Sequence, residues 1–78
     1  MSHFYFHVRQ RSTLFEDKRG GEFPDLQAAW DWAVSAVQAI IRDQQLIGPI
    51  DQQWMEICDG KGATVASLPF GRVARALN

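Results

Sequence analysis

The sequence lacks the features that are typical of disulfide-bonded, membrane-spanning and secreted proteins. Its 78 residues include one cysteine, Cys58, so an intrachain disulfide is excluded and a reducing compartment is the simpler interpretation. No apolar run approaches the roughly 20 residues that a membrane-spanning helix needs. The first seven residues lack the basic stretch and long apolar core of a signal peptide. We therefore expect a soluble, cytoplasmic protein with no membrane partner, organised as one domain over residues 1–78.

Residues that could carry chemistry are also few. His3 and His7 have the i, i+4 spacing of a helical metal pair, but on a strand their positions are about 13 Å apart, which favours two separate surface histidines. No local signature pairs Cys58 with a histidine. The glycines at 60–62 lack phosphate-loop spacing, and a hairpin turn explains them. The acids Glu16-Asp17 are interpreted as solvated turn residues. We expect no enzyme activity, catalytic residue, metal or cofactor.

The charge of the chain is nearly balanced but unevenly distributed. The net charge of −1 gives no reason to expect nucleic acid or a membrane as the main partner. Residues 1–20 hold four basic and two acidic side chains, residues 22–59 hold one basic and seven acidic, and the remainder has three basic and none acidic. This segregation fits a solvated surface, or alternatively self-association or docking of an anionic partner through the basic N-terminal hairpin.

Two pairs of strands are predicted, one at each end of the chain. Residues 3–9 alternate, with Phe4, Phe6 and Val8 on one face, which is the period of a half-buried strand. A second strand is expected at 12–17, followed by turn chemistry at 17–21. Strands are also expected at 53–58 and 63–68, joined by the hairpin signal Asp59-Gly60-Lys61-Gly62.

A helix of about twenty residues is predicted between the strand pairs. Asp25 is a suitable N-cap, and Gly48-Pro49 is expected to end the helix, with Gly48 at the C′ position. The apolar positions have helical spacing and indicate one stripe facing a core: Leu26, Ala29, Trp30, Ala33, Val37, Ile40 and Ile41.

Trp32 does not belong to this stripe. It lies roughly 120° from the centre of the stripe, among Ala28, Ala36 and Ala39, and forms a second apolar strip. A helix about 30 Å long should also extend beyond strands that span about 17–20 Å. We therefore predict that Trp32, Ala28, Ala36 and Ala39 form a partner interface, with self-association as a homodimer expected and an unknown protein partner as a further candidate.

These elements assemble most simply into an α+β fold. The expected arrangement is ββαββ, a four-stranded antiparallel sheet in the order 2-1-3-4, with the long helix on one face and a short helical turn at 72–77. The uncovered sheet face would display Tyr5, His7, Arg9 and Trp54. Aromatic and arginine side chains on an open sheet can stack single-stranded bases, although no RNP-type motif is present.

Several segments together resemble a family of short bacterial proteins known only as a domain of unknown function. The segments are Phe4-Tyr5-Phe6-His7-Val8, then Asp17, then Gly21-Glu22-Phe23-Pro24-Asp25-Leu26 with alanines after it, then Glu56-Ile57 before Asp59-Gly60, and Leu68-Pro69-Phe70. The resemblance covers nearly the whole chain and implies the fold and a bacterial cytoplasm. The resemblance implies no catalytic residue.

A more limited similarity is to HicB-type antitoxins, in which a Pro-Asp-Leu segment also precedes an alanine-rich helix. The Gly-Cys that usually follows that segment is missing here, and no separate DNA-binding segment is seen. The main expectation is thus a non-catalytic interaction or regulatory module acting as a homodimer. The alternative is a nucleic-acid-binding or antitoxin-like regulator that uses the basic N-terminal hairpin and the open sheet face.

Overall fold

The structure is a computed structural model, and it describes residues 1–43 and 48–76. Its elements, in chain order, are β1 (Ser2–Gln10), β2 (Thr13–Phe15), β3 (Gly21–Phe23), α1 (Leu26–Arg42), a 3₁₀ turn (Ile50–Gln52), β4 (Gln53–Asp59), β5 (Thr64–Pro69) and α2 (Phe70–Ala76).

The strands form one antiparallel sheet with β1 and β4 at its centre. The order is β2-β1-β4-β5, and β3 pairs with β1 beside β2. The expected α+β class is confirmed, with the helices on one face. The strand count is five rather than four, and the order differs from the expected one by the added β3. The predicted second strand at 12–17 ends at Phe15, because the next residues form a loop rather than continuing the ladder.

Helix α1 begins where the sequence predicts. Asp25 has extended backbone (φ −159°), and its Oδ1 accepts a hydrogen bond from the backbone N–H of Ala28 at 2.9 Å. This carboxylate satisfies one of the unpaired amides of the first helical turn and complements the helix dipole. Pro24 stands immediately before the cap, outside the helix.

The predicted end of α1 at Gly48-Pro49 is wrong. The helix has 17 residues and ends at Arg42, with Asp43 as its C-cap; residues 44–47 lie outside the described residues. The residues after Ile41 are polar through position 45, so the apolar stripe that packs α1 on the sheet is interrupted there. A helix of this length spans about 25 Å, whereas the nine residues of β1 span about 30 Å. The lengths from which the overhang was predicted are therefore wrong, because the helix is shorter and its neighbouring strand longer than expected.

The hydrophobic core lies between α1 and the sheet. Ala29, Ala33 and Val37 are fully buried at the centre of the helix face. Small alanines here let the helix approach the large side chains of the sheet closely. The sheet contributes four of its buried side chains from the two central strands, namely Phe4, Phe6, Met55 and Ile57.

The short C-terminal helix predicted at 72–77 is confirmed as α2, which begins two residues earlier than predicted. It starts at Phe70, and Phe70 and Val73 are buried in the same core as α1. The last residues of the chain, 77–78, lie outside the described residues. In the described ranges, no helix is both long and apolar enough to cross a membrane.

Candidate interaction surfaces

Trp32 lies at the boundary between the core and the surface. Its side chain is 49% exposed, while its ring centroid is 4.7 Å from that of Phe6 and 6.1 Å from that of Phe23. One side of the indole therefore packs on its own chain and the other side faces solvent. The three alanines of the predicted interface, Ala28, Ala36 and Ala39, are half-buried.

An open groove of about 450 Å³ runs beside Trp32, between α1 and the edge of the sheet. Its walls are mostly apolar, with α1 supplying one side and the sheet the other. The residues that shape it most are Trp32, Ala36 and Ile40 on the helix and Phe6, Phe23 and Met55 on the sheet. The groove therefore extends the predicted Trp32 interface from a strip on one helix to a concave apolar surface.

The loop of residues 16–20 forms one end of this groove and replaces a stretch of edge strand. Asp17 Oδ2 accepts a hydrogen bond from the backbone N–H of Phe6 at 3.1 Å, and Oδ1 accepts from the N–H groups of Arg19 and Gly20 at 3.0 Å each. One carboxylate thus satisfies a β1 donor that the broken edge leaves unpaired, and it shapes its own turn.

The electrostatics of Asp17 follow from these bonds. Desolvation by burial is the largest single influence and raises the pKa of Asp17, but the bonds from Gly20, Phe6 and Arg19 together outweigh it and lower the pKa overall. The carboxylate is therefore held in its charged form by backbone donors.

His3 and His7 both fasten this loop to β1. The backbone N–H of Asp17 donates to His7 Nδ1 at 2.9 Å, which places the proton of the neutral ring on Nε2. His3 Nε2 donates to the carbonyl oxygen of Arg19 at 2.8 Å. The two histidines thus have separate backbone partners. Within the described ranges, no cluster of three or more His, Cys, Asp or Glu side chains could hold a metal ion.

Sequence reasoning missed the role of Asp17. The available signal was the spacing Asp17-Lys18-Arg19-Gly20, an acid followed three residues later by a glycine, which is typical of a side chain that caps its own turn. Gly20 has φ +64°, and a Cβ there would collide with the carbonyl oxygen of Phe4. Only glycine fits this position without moving the loop.

The four residues predicted for the open sheet face do lie on one face. Arg9 pairs with Trp54 across β1 and β4, and the rings of Tyr5 and His7 are stacked with centroids 6.3 Å apart and an interplanar angle of 9°. The ring of His3 continues the row, with its centroid 4.9 Å from that of Tyr5. No described element covers this face.

Glu56, opposite His7, changes the electrostatics of this face. Its Oε2 accepts from Arg9 Nε at 2.8 Å and from Trp54 Nε1 at 3.1 Å. The hydrogen bond from Arg9, supported by Trp54 and by the nearby charges, lowers the pKa of Glu56 against the opposing effect of desolvation. Arg9, the arginine on this face, is therefore already paired with a carboxylate of its own chain.

Cys58 lies on β4, where it is a buried free thiol. Its Sγ is 3.6 Å from the hydroxyl oxygen of Thr64. This side-chain pair joins β4 to β5 at the place where the register of the two strands shifts.

The comparisons with known proteins bear on the family alone. No curated protein and no solved structure matches the chain. A family model does match, over residues 3–71, which takes in the strands from the second residue of β1 onward, α1 and the first two residues of α2. The chain belongs to the family described as Domain of unknown function (DUF6894).

Proposed function

We propose that this chain is a non-catalytic interaction module of the cytoplasm and that it forms a homodimer through the Trp32 face. We define this face as Trp32, Ala28, Ala36 and Ala39 with the adjoining groove. The observation that carries the proposal is that Trp32 is half exposed beside an apolar groove that the described residues leave unfilled.

The energetics favour burial of this face. A Trp side chain can bury about 200 Å², so covering the exposed half of Trp32 removes about 100 Å² of mostly apolar surface from water, which contributes about 2 kcal/mol per copy. A two-fold interface applies this contribution twice, once for each copy. The neighbouring alanines favour a close approach of two helices, because they add little bulk between the backbones.

The charges around the groove support a second copy as the partner. Lys18 and Arg19 are exposed on the loop that ends the groove, and Asp31 is exposed next to Trp32 on α1. A two-fold arrangement can place the loop of one copy against the helix of the other, so that opposite charges meet at the rim of the interface. Rim charges of this kind steer association more than they strengthen it.

The occupation of the polar side chains supports a module without catalysis. His3, His7 and Asp17 are bonded to the backbone, and Glu56 is bonded to Arg9 and Trp54. Each of these groups therefore has a role in holding β1 to its neighbours. The burial of Cys58 as a free thiol supports a reducing compartment such as the cytoplasm.

Sedimentation equilibrium across a concentration series tests the dimer. The wild type should approach twice the monomer mass of 8.8 kDa, and Trp32→Glu should shift the equilibrium to monomer. Phe15→Glu is the matched control, because Phe15 is an aromatic residue of nearly the same exposure, 48%, that does not line the groove. A monomeric wild type at high micromolar concentration, or equal effects of the two variants, would contradict the proposal.

The alternative function, nucleic-acid or antitoxin-like regulation, is favoured by one observation, the row of His3, Tyr5 and His7 rings on the uncovered face. Bases would stack on such a row, and contacts of the basic hairpin to phosphates would make the binding depend strongly on salt. Fluorescence anisotropy with labelled single-stranded DNA and RNA should then show binding that the Arg9→Ala/Arg11→Ala variant loses. An absence of binding at low salt would exclude this alternative.

A further inference from the structure

The outer edge of β5 is a second candidate surface. It lies at the opposite edge of the sheet from β2, β3 and the Trp32 groove. Among the described residues, β5 pairs with β4 alone. Its six residues, Thr64-Val65-Ala66-Ser67-Leu68-Pro69, include no charged side chain, and the single proline is the last residue. The register of β5 with β4 shifts beside Val65, whereas residues 66–69 pair regularly. An edge strand without charge along a regular stretch is a template for a further strand.

The surroundings of β5 are basic. Lys61 is exposed in the turn that precedes the strand, and Arg72 is exposed on α2 just after it. From residue 60 to residue 76 the chain has these two cations and Arg75, and no acid. The nearest acids are Asp59, whose carboxylate accepts the N–H groups of Lys61 and Ala63, and Asp51, which lies beside Gly71 and pairs with Arg75. Lys61 and Arg72 are the exposed cations nearest the two ends of the free edge.

This charge pattern argues against a second copy at β5. Antiparallel pairing of two β5 strands would bring Lys61 of one copy toward Arg72 of the other. Parallel pairing would set each cation against its own counterpart. Either symmetric arrangement juxtaposes like charges, which is unfavourable. An incoming segment with acidic residues at its two ends would instead be complementary.

A hollow beside β5 gives the incoming segment a further contact. It measures about 390 Å³ and is lined by Leu26, Gln27 and Trp30 of α1 together with Ala66 of β5. Leu26 is 40% exposed there. A strand added at the edge would direct alternate side chains toward the helix layer, and an apolar side chain near its middle would lie over this hollow.

We propose that the β5 edge binds an extended segment of a different protein, with acidic residues at both ends and an apolar residue between them, by strand addition. Main-chain hydrogen bonds supply most of the binding, Lys61 and Arg72 select the charge, and the hollow near Trp30 selects the apolar side chain. This surface is separate from the Trp32 face and does not depend on the proposed homodimer.

A pair of synthetic peptides provides the test. Both have the same alternating Val/Thr core of six residues; one carries two Glu at each end and the other carries two Lys. In ¹H–¹⁵N correlation spectra at low salt, the acidic peptide should shift the amide signals of residues 64–69 and the Trp30 indole. It should bind about tenfold more tightly than the basic peptide.

Three variants complete the experiment. Val65→Glu should abolish binding of the acidic peptide, and Phe15→Glu on the opposite edge should preserve it. Lys61→Glu/Arg72→Glu should reverse the preference between the two peptides while leaving the strand intact. Trp32→Glu should bind the acidic peptide as the wild type does, which separates this inference from the homodimer.

The proposal is overturned if residues 64–69 do not shift at about 1 mM acidic peptide, or if the two peptides bind equally. It is also overturned if Val65→Glu turns a dimeric wild type into a monomer, because the edge would then belong to a second copy.

Discussion

The two edges of the sheet differ in the length of their strands and in the bonding of their backbone groups. One edge consists of two strands of three residues each, β2 and β3, which flank a loop bearing Lys18 and Arg19. Asp17 fills the break by accepting the backbone donor of Phe6. The other edge is the single strand β5, six residues long and without charge. One edge thus has its break filled by its own side chain, whereas in the described ranges no strand pairs along the outer side of β5.

This difference suggests two modes of association in one small chain. At the β2/β3 edge the β1 donor beside the break is already bonded, and the proposed partner would contact Trp32 and its groove. At the β5 edge the side chains are uncharged, and the proposed partner would pair with the backbone. The following predictions test each half of this comparison, from the largest expected effect to the smallest.

Gly20→Ala should destabilise the fold most. The added Cβ would collide with the carbonyl oxygen of Phe4 in a residue with φ +64°, and we expect a loss of about 3 kcal/mol in the free energy of unfolding. Gly62→Ala is the matched control, because Gly62 also has positive φ (+87°) but no atom within 4 Å of the new Cβ, so it should cost about 1 kcal/mol. Urea denaturation measures both. Equal losses would show that the loop is not locked against β1.

Asp17→Ala should have the next largest effect. It removes the acceptor of three backbone N–H groups, including that of Phe6, and should cost about 2 to 3 kcal/mol. The adjacent exposed acid provides the control, since Glu16→Ala should change the stability by less than about 0.5 kcal/mol. Equal losses of stability in Asp17→Ala and Glu16→Ala would show that the Asp17 carboxylate does not stabilise this edge.

Acid should weaken the bonds that Asp17 and Glu56 make to β1. The pKa of Asp17 and that of Glu56 are lowered from ordinary values of 3.8 and 4.5. At mildly acidic pH the unfolded chain therefore binds more protons than the folded one, and stability is present above these ordinary values and lost as pH falls through the lower folded ones. Denaturation between pH 3 and pH 7 should show this loss. Asp17→Asn/Glu56→Gln should flatten it, whereas Glu16→Gln should leave it unchanged.

Val65→Glu should have the smallest effect on stability. Val65 is 39% exposed on the open edge, so the free energy of unfolding should change by less than about 0.5 kcal/mol. The mass measured by sedimentation should also be unchanged, because the Trp32 face lies at the opposite edge of the sheet. A large loss of stability would mean that this edge is packed against something rather than open.

The sequence predicted the elements better than their ends and connections. Asp25, the alternation of residues 3–9 and the turn at 59–62 were readable because each depends on neighbouring residues. The end of α1 and the break near Asp17 were not. The first depends on whether a further turn has a surface to pack on, and the second on a bond between residues 11 positions apart.

The candidate surfaces follow the same rule. The position of Trp32 away from the main stripe was predictable from helical spacing, but its contact with Phe6 and Phe23 and the groove beside it required the packing of α1 on the sheet. The shared face of Arg9 and Trp54 followed from strand alternation. Their bonds to Glu56 did not, because these depend on which strand lies beside β1.

The most direct test of the homodimer is an isotope-filtered NOE experiment on an equal mixture of ¹³C,¹⁵N-labelled and unlabelled protein. The filter selects contacts between a labelled copy and an unlabelled one. The account predicts contacts between copies from the Trp32 indole protons to side chains of α1 or of the loop at 16–20, and their disappearance in Trp32→Glu. Contacts between copies that involve residues 64–69 instead, or a complete absence of such contacts at high micromolar concentration, would contradict it.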